Sequence, residues 1–352
     1  MILRRGGGRL ASMEGDLSLD LPRVRLARLP TPVEPLERFF AGPGLPRVFV
    51  KRDDATGTEF SGNKVRKLEF VLGRALREGA DTLVTCGGIQ SNHARATAAV
   101  AARLGLGARL VLRGRPPARP EELEGNLLLD VLLGASFRWI TREDWPRVGE
   151  ILAEEGERLR REGKRPWIIP EGASDAAGAL GYLEAVREIR DFQEREGVRF
   201  DAVFHAMGSG GTAAGLLLGR EAFGLSFRLF SVPVCDDAAY FRRKVEGILE
   251  DAVSRFGLPR PSLEGWEIPQ GFQGEGYALS TPEEAAFYGE VARREGLVLD
   301  PVYTGKAFRC MDRLLREGKA SRAGGSVLFL HTGGLFGLFT AEHARNLEIP
   351  WA

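Results

Sequence analysis

Cysteine, histidine and lysine are all scarce in this chain of 352 residues. The three cysteines, Cys86, Cys235 and Cys310, are far apart and form no C-x-x-C pair. That excludes a disulfide scaffold and a zinc ribbon, and it suits a reducing compartment, the cytoplasm. The four histidines (His93, His205, His331, His343) show no H-x-x-x-H spacing, so no histidine-rich metal site is expected. No run approaches the ~18 consecutive apolar residues that span a bilayer. A net charge of +1 gives no long-range field toward nucleic acid or an anionic membrane. Lysine is the most telling shortage. Of 49 basic residues only seven are lysine: Lys51, Lys64, Lys67, Lys164, Lys244, Lys306 and Lys319. Arginine replaces lysine as surface charge, but not as a reactive amine, because guanidinium stays protonated. Three of the remaining lysines fall between positions 51 and 67.

What is present is a globular composition, 43% hydrophobic and 28% charged, with enough apolar mass for a full core. The first fifteen residues are expected to be a disordered extension outside the fold, with Met13 as an alternative start. Short apolar runs then recur at 47–51, 82–86, 109–113, 136–140, 166–170, 202–206, 227–232, 297–300 and 326–331, and read as strands. Helical patterns lie between them at 64–78, 92–104, 125–134, 146–163, 177–197, 211–223, 239–256, 281–295, 305–317 and 334–345. This alternation predicts an α/β fold of mostly parallel sheets covered by helices. Four of the strands end in glycine-rich turns: Cys86-Gly87-Gly88, Pro170-Glu171-Gly172, Met207-Gly208-Ser209-Gly210-Gly211 and Thr332-Gly333-Gly334. Ligands of open α/β sheets lie beyond such carboxyl ends, so one site fed by several turns is expected.

Each motif also has a plain structural reading. Gly-Ser-Gly-Gly-Thr-Ala-Ala-Gly (208–215) follows a strand and opens a helix, where amide groups converge on an anion. It lacks the third-glycine spacing of a dinucleotide fingerprint and the Gly-Lys of a nucleotide P-loop, and it can be a bare tight turn. Lys64 and Lys67, three apart on one helix face, can be solvated surface charges. Ser61-x-x-Lys64 matches an acyl-serine hydrolase motif, but the companion S-D-N and K-T-G elements are missing. Ser91 reads as a helix N-cap, and with Asn92 and His93 it can also offer donors to a carboxylate. His205 and His331 read as hydrogen-bonded core residues. Tyr277 and Tyr303 can be core aromatics.

Five segments in order carry a family resemblance: Ser-Gly-Asn-Lys-Val-Arg-Lys-Leu-Glu (61–69), Gly-Gly-Ile-Gln-Ser-Asn-His-Ala-Arg (87–95), Gly-Ser-Gly-Gly-Thr (208–212), Leu-Asp-Pro-Val-Tyr-Thr-Gly-Lys-Ala (299–307) and Phe-Leu-His-Thr-Gly-Gly (329–334). From about residue 30 to 338 the chain resembles the pyridoxal-phosphate enzymes of the D-cysteine desulfhydrase and 1-aminocyclopropane-1-carboxylate (ACC) deaminase family. Segments 234–241 and 274–278 look most like its plant-type D-cysteine desulfhydrases. The resemblance implies a two-domain pyridoxal-phosphate (PLP) fold type II, like the tryptophan synthase β-subunit. A small domain, 68–181, would be inserted into a large one, 16–67 and 182–352, in a homodimer.

The resemblance also implies roles. Lys64 would carry PLP covalently, which demands a lysine that can become neutral. Lys67 would lend charge toward a phosphate held by Gly208, Ser209, Gly210, Gly211 and Thr212. Asn92 would bond the ring hydroxyl, and Thr332 would face the ring nitrogen. Ser91, Asn92 and His93 would bind the carboxylate of a small amino-acid substrate, while Ser91, Tyr303 and Tyr277 would take part in catalysis. No metal, nucleic acid or membrane partner is implied. The expected reaction is β-elimination from D-cysteine, giving hydrogen sulfide, pyruvate and ammonia. The alternatives are an ACC deaminase, an L-cysteate sulfo-lyase and, more distantly, a NAD-dependent oxidoreductase or a silent ligand-binding relative. In ring-opening members a glutamate follows the tyrosine of Asp-Pro-Val-Tyr; here that position is Thr304.

Overall fold

Strands whose successive residues face opposite layers need helices on both sides, and that requirement shapes the computed structural model, which describes residues 21–274, 280–341 and 343. The amino-terminal extension expected over residues 1–15 and Tyr277 lie outside the described residues. The chain runs β1 (Val33–Leu36), β2 (Arg47–Lys51), α1 (Lys64–Arg77), β3 (Thr82–Gly88), α2 (Asn92–Leu104), β4 (Gly107–Arg113), α3 (Gly125–Leu132), β5 (Ser136–Ile140), α4 (Val148–Arg161) and β6 (Pro166–Ile168). It continues through α5 (Ala176–Glu196), β7 (Ala202–Met207), α6 (Gly211–Ala222), β8 (Arg228–Pro233), α7 (Ala238–Phe256), β9 (Trp266–Glu267), α8 (Pro282–Glu295), α9 (Thr304–Arg316) and β10 (Ser326–Leu330).

Two sheets result. The larger has the order β1-β2-β10-β7-β8-β9 and is parallel except for β1. The smaller, β5-β4-β3-β6, is wholly parallel and comes from residues 82–168. In the larger sheet Phe49, Val203, Leu328 and Leu330 face a layer that includes α5, α6 and α7. Their strand neighbours Val48, Val50, Phe204, Val327 and Phe329 face α8 and α9. This is the period of two expected for strands buried on both faces.

Two features depart from the expected string. The run 297–300 is not a strand: Leu297, Leu299 and Asp300 are buried and Val298 is exposed, but the run forms no ladder. The carbonyl of Val298 takes His331 Nε2, and the Asp300 carboxylate takes the amides of Val302, Tyr303 and Thr304, so the segment's hydrogen bonds are spent on a turn. The helix expected over 334–345 opens instead with a 3₁₀ turn, Leu335–Leu338, entered through Gly334 at φ 114°, and of the later residues described Ala341 and His343 are helical. The strands β1 and β9 were not expected. Prolines in and before β1 mark an edge strand, and β9 is two residues long.

Two contacts fix α1. The buried Arg66 guanidinium makes paired bonds of 2.8–2.9 Å to Asp53 and of 2.8 Å to Glu188. Lys51, Thr31 and Tyr182 complete the knot. Burial alone would raise the pKa of Asp53, but Arg66, Lys51 and the hydrogen bonds hold it below the usual carboxylate value. The same helix α5 that carries Glu188 and Tyr182 also presses on the backbone of α1 at Gly181, where a Cβ would lie 2.4 Å from the Arg66 carbonyl oxygen. Gly181→Ala is therefore expected to destabilise by about 1–3 kcal/mol, as overpacking does. Gly149→Ala, with open space around it in α4, should be neutral or stabilise by up to ~1 kcal/mol. Denaturant midpoints of the two variants check the contrast.

Candidate active site

The carboxyl ends of β7 and β10 in one sheet and β3 in the other open on a shared cleft of about 420 Å³. Its walls are Asn63, Lys64, Asn92, residues 206–210, Thr212, Tyr303, Thr332 and Gly333. The glycines set how closely the turns meet. A Cβ on Gly62 (φ 107°) would lie 2.8 Å from the Thr332 carbonyl oxygen, and one on Gly333 would lie 2.6 Å from Gly62 Cα. With the Asn63 amide donating to the Thr332 carbonyl (3.1 Å), these back-to-back turns hold Lys64, the first residue of α1, on the wall shared with Thr332. Burial lowers the pKa of Lys64 from 10.5 to about 8, against a raising pull from Glu171.

The glycine turn after β7 is built for an anion. Gly210 adopts φ 86° and, having no side chain, cannot cap α6; apart from the Gly211 amide, which Ser174 takes, the first amides of the helix stay open. Lys67 does not line the cleft; it is buried directly behind this turn. Its Nζ donates to the Gly172 carbonyl and to Ser174 Oγ (both 3.2 Å), and a Cβ on Gly211 would be 2.9 Å from it. Ser174 Oγ accepts from the Gly211 amide (3.2 Å) and lies 2.8 Å from Ser209 Oγ. Burial and the Lys64 charge push the Lys67 pKa well down. An anion in the turn would offset that penalty.

The remaining expected residues divide. Asn92 lines the cleft; Ser91 caps α2, accepting from the Ala94 amide (3.2 Å). The His93 side chain turns inward to Thr85 Oγ1 (2.8 Å), and burial plus the charges of Lys64 and Lys67 keep it well below its usual pKa. Only its backbone remains at the helix start. Tyr303 lies against Gly208, where a Cβ would touch its ring at 3.0 Å. Thr304, expected where other members carry glutamate, is fully buried and donates to Asp300 Oδ1 (2.6 Å), outside the cleft wall. Ser61 Oγ donates to the Asp54 carbonyl, which removes the hydrolase reading. His205 and His331 are core histidines, as expected. Sequence reasoning gave no role to Asn63, whose Nδ2 donates to Thr212 Oγ1 (3.2 Å), or to Ser174. Asn63 lay inside a noted motif; Ser174 had no local signal.

A primary amine with a lowered pKa thus shares a cleft with a glycine turn that a second lysine backs. That donor set fits PLP: an amine for the aldehyde and an anion cradle for the phosphate. Comparisons agree. The family model described as pyridoxal-phosphate dependent enzyme matches residues 24–333. The bifunctional D-cysteine desulfhydrase/ACC deaminase of Arabidopsis thaliana, a mitochondrial protein, is 41% identical over 93% of this chain and 82% of its own length. The D-cysteine desulfhydrase of Yersinia enterocolitica is 40% identical over 90% of this chain and 95% of its own. The crystal structure of an ACC deaminase homologue superposes with a TM-score of 0.82 at 37% identity, covering 93% of this chain and 97% of that one. The nicotinamide alternative falls with these matches. No helix among the described residues is long and apolar enough to cross a membrane.

Only the neutral amine attacks an aldehyde, and Lys64 is neutral above its pKa. The rate at which cofactor-free protein takes up PLP should therefore rise with pH through a midpoint near 8, the lowered value of Lys64. Stopped-flow absorbance measures it; a midpoint near 10.5, that of an ordinary lysine, would contradict the assignment.

Proposed function

The chain belongs to the pyridoxal-phosphate-dependent enzymes, in the group of D-cysteine desulfhydrases and ACC deaminases, and from that premise we propose that it converts D-cysteine and water to hydrogen sulfide, pyruvate and ammonia. The observation that carries the substrate choice is the cleft wall itself, which holds a lysine and hydroxyl groups but, among the described residues, no carboxylate. The nearby Asp300 is spent on three backbone amides and Thr304. A ring nitrogen beside the Thr332 hydroxyl would find no anion among the described wall residues to keep it protonated and would stay largely neutral. Expelling a thiolate needs less electron withdrawal than breaking a cyclopropane carbon–carbon bond.

When bound, PLP supplies the electron sink for the substrate's α-carbon. The chain supplies position and proton transfer. We assign Lys64 as the covalent attachment point and, through its neutral Nζ, as the base at the α-carbon. The turn of Gly208, Ser209, Gly210, Gly211 and Thr212, backed by Lys67, would take the phosphate. Asn92 would donate to the ring oxygen. Ser91 and the first-turn amides of Asn92 and His93 take the substrate carboxylate. Tyr303 and Tyr277 protonate the departing sulfur.

We further propose residues 68–181 as a small domain, an assignment supported by the four-stranded sheet drawn from 82–168. A cytoplasmic homodimer is the assembly we favour. Free cysteines support the compartment. Exposed Leu128, Val131 and Leu132 on one face of α3, beside the turn that carries exposed Leu335, support a self-contact. Opening of the ACC ring is the second reading, favoured by the double activity named for the Arabidopsis relative.

Turnover of D-cysteine, L-cysteine, L-cysteate and ACC under one set of conditions decides between these. D-cysteine should exceed ACC in kcat/KM by about a hundredfold or more, a transition-state difference of ~2.7 kcal/mol. ACC as the best substrate would overturn the proposal.

A further inference from the structure

Asn92 is held by a hydrogen-bond chain that begins well outside the cleft. Asn126, on α3, is fully buried. Its Oδ1 accepts from Arg95 Nε at 3.1 Å. Its Nδ2 donates to the Gln90 carbonyl and to Asn92 Oδ1, both at 3.0 Å. Arginine has no acceptor and a carbonyl has no donor, so the Asn126 amide has one permitted orientation. With Asn126 Nδ2 facing Asn92, the atom it faces must be the acceptor Oδ1. The Asn92 NH₂ group is then left for the cleft, where Asn92 forms part of the wall.

The anchor is equally defined. Arg95 sits on α2, and its guanidinium also donates to the carbonyl oxygens of Glu59 and of Ser61, the latter at 2.8 Å. Those carbonyls belong to the segment that leads into Lys64. The Gln90 side chain closes the arrangement: its Oε1 accepts the Asn126 amide (2.7 Å) and its Nε2 donates to the Glu124 carbonyl. Gly125 leaves room, since a Cβ there would lie 2.4 Å from Gln90 Oε1. One buried arginine thus ties the lysine's approach strand to the orientation of the Asn92 amide.

We propose that Arg95 and Asn126 are positioning residues that lock Asn92 as an obligate hydrogen-bond donor to the cofactor's ring oxygen, and so select its anionic form. The inference rests on the assignment of Asn92 to that oxygen made above. An amide N–H beside the oxygen stabilises its anion, whereas an amide carbonyl turned the same way would repel it. Asn126→Asp removes the donor to Asn92 Oδ1 and adds an acceptor, which turns the Asn92 amide over while keeping an ion-pair partner for Arg95.

The test is the pH titration of the visible absorption band of the purified holoprotein, which does not depend on turnover. Asn126→Asp should move the midpoint upward by about one unit or more, the scale of one charge-assisted hydrogen bond. Asn126→Ala, which frees the Asn92 amide to rotate, should move it less and in the same direction. Asn92→Ala should shift the midpoint alone, and adding Asn126→Asp to it should produce no further shift, because the relay acts only through Asn92. Unchanged midpoints in both Asn126 variants, or additive shifts in the double variant, would overturn the relay. A wild-type band that titrates while Asn92→Ala leaves its midpoint in place would instead overturn the assignment of Asn92. Should Asn126→Asp fail to fold, Asn126→Ala alone and combined with Asn92→Ala decides by the same comparison.

Discussion

The Arg66 guanidinium, buried between the carboxylates of Asp53 and Glu188, is the constraint on which the cleft depends. Three elements meet there: the segment after β2, helix α1 and helix α5. Removing one partner from such a buried pair costs about 3–5 kcal/mol, because the other charge is left unpaired. Arg66 lies two positions from Lys64 on α1, so it points to the far side of the helix. The ionic knot therefore grips the back of α1 and leaves the lysine face to the cleft. The close approach of α5 at Gly181 fixes the backbone of the same turn as well.

Charge then defines what the cleft can hold. Two lysines are buried close together, both with lowered pKa values, and the Lys67 value is depressed partly by Lys64 itself. Such an arrangement is stable with at least one amine neutral, or with an anion between them. PLP would meet both conditions: its aldehyde would use the Lys64 amine and its phosphate would sit at the glycine turn that Lys67 backs. The cleft wall adds no carboxylate among the described residues. A described cleft wall with one lysine and no carboxylate is the electrostatic basis of the proposed preference for thiolate loss over ring opening.

Most of this organisation is legible in the sequence where its signals are local. Helix α2 was expected at its observed bounds because Ser91 is a capping residue and Gly105, at φ 70°, ends the helix. The glycine turns lie at the ends of the strands they serve, so their spacing exposed them, whereas the role of Ser-Gly-Asn-Lys came from the family resemblance. The run 297–300 misled because a buried irregular segment is as apolar as a buried strand. Asn126 and Ser174 left no trace, since each reaches the site from a distant stretch of chain through side-chain bonds, and Arg95 lay inside the quoted segment 87–95 without a role. His93 looked like a cleft residue beside Asn92, but the helical turn carries its ring into the core against Thr85.

The account centres on one covalent bond, and reduction traps it. Borohydride treatment of the purified, PLP-loaded protein, followed by peptide mapping, should place the reduced cofactor on Lys64 alone. The modified peptide should contain the Ser-Gly-Asn-Lys sequence. Label on Lys67, Lys244 or any other of the seven lysines, or a protein that stays colourless after addition of PLP, would contradict the account.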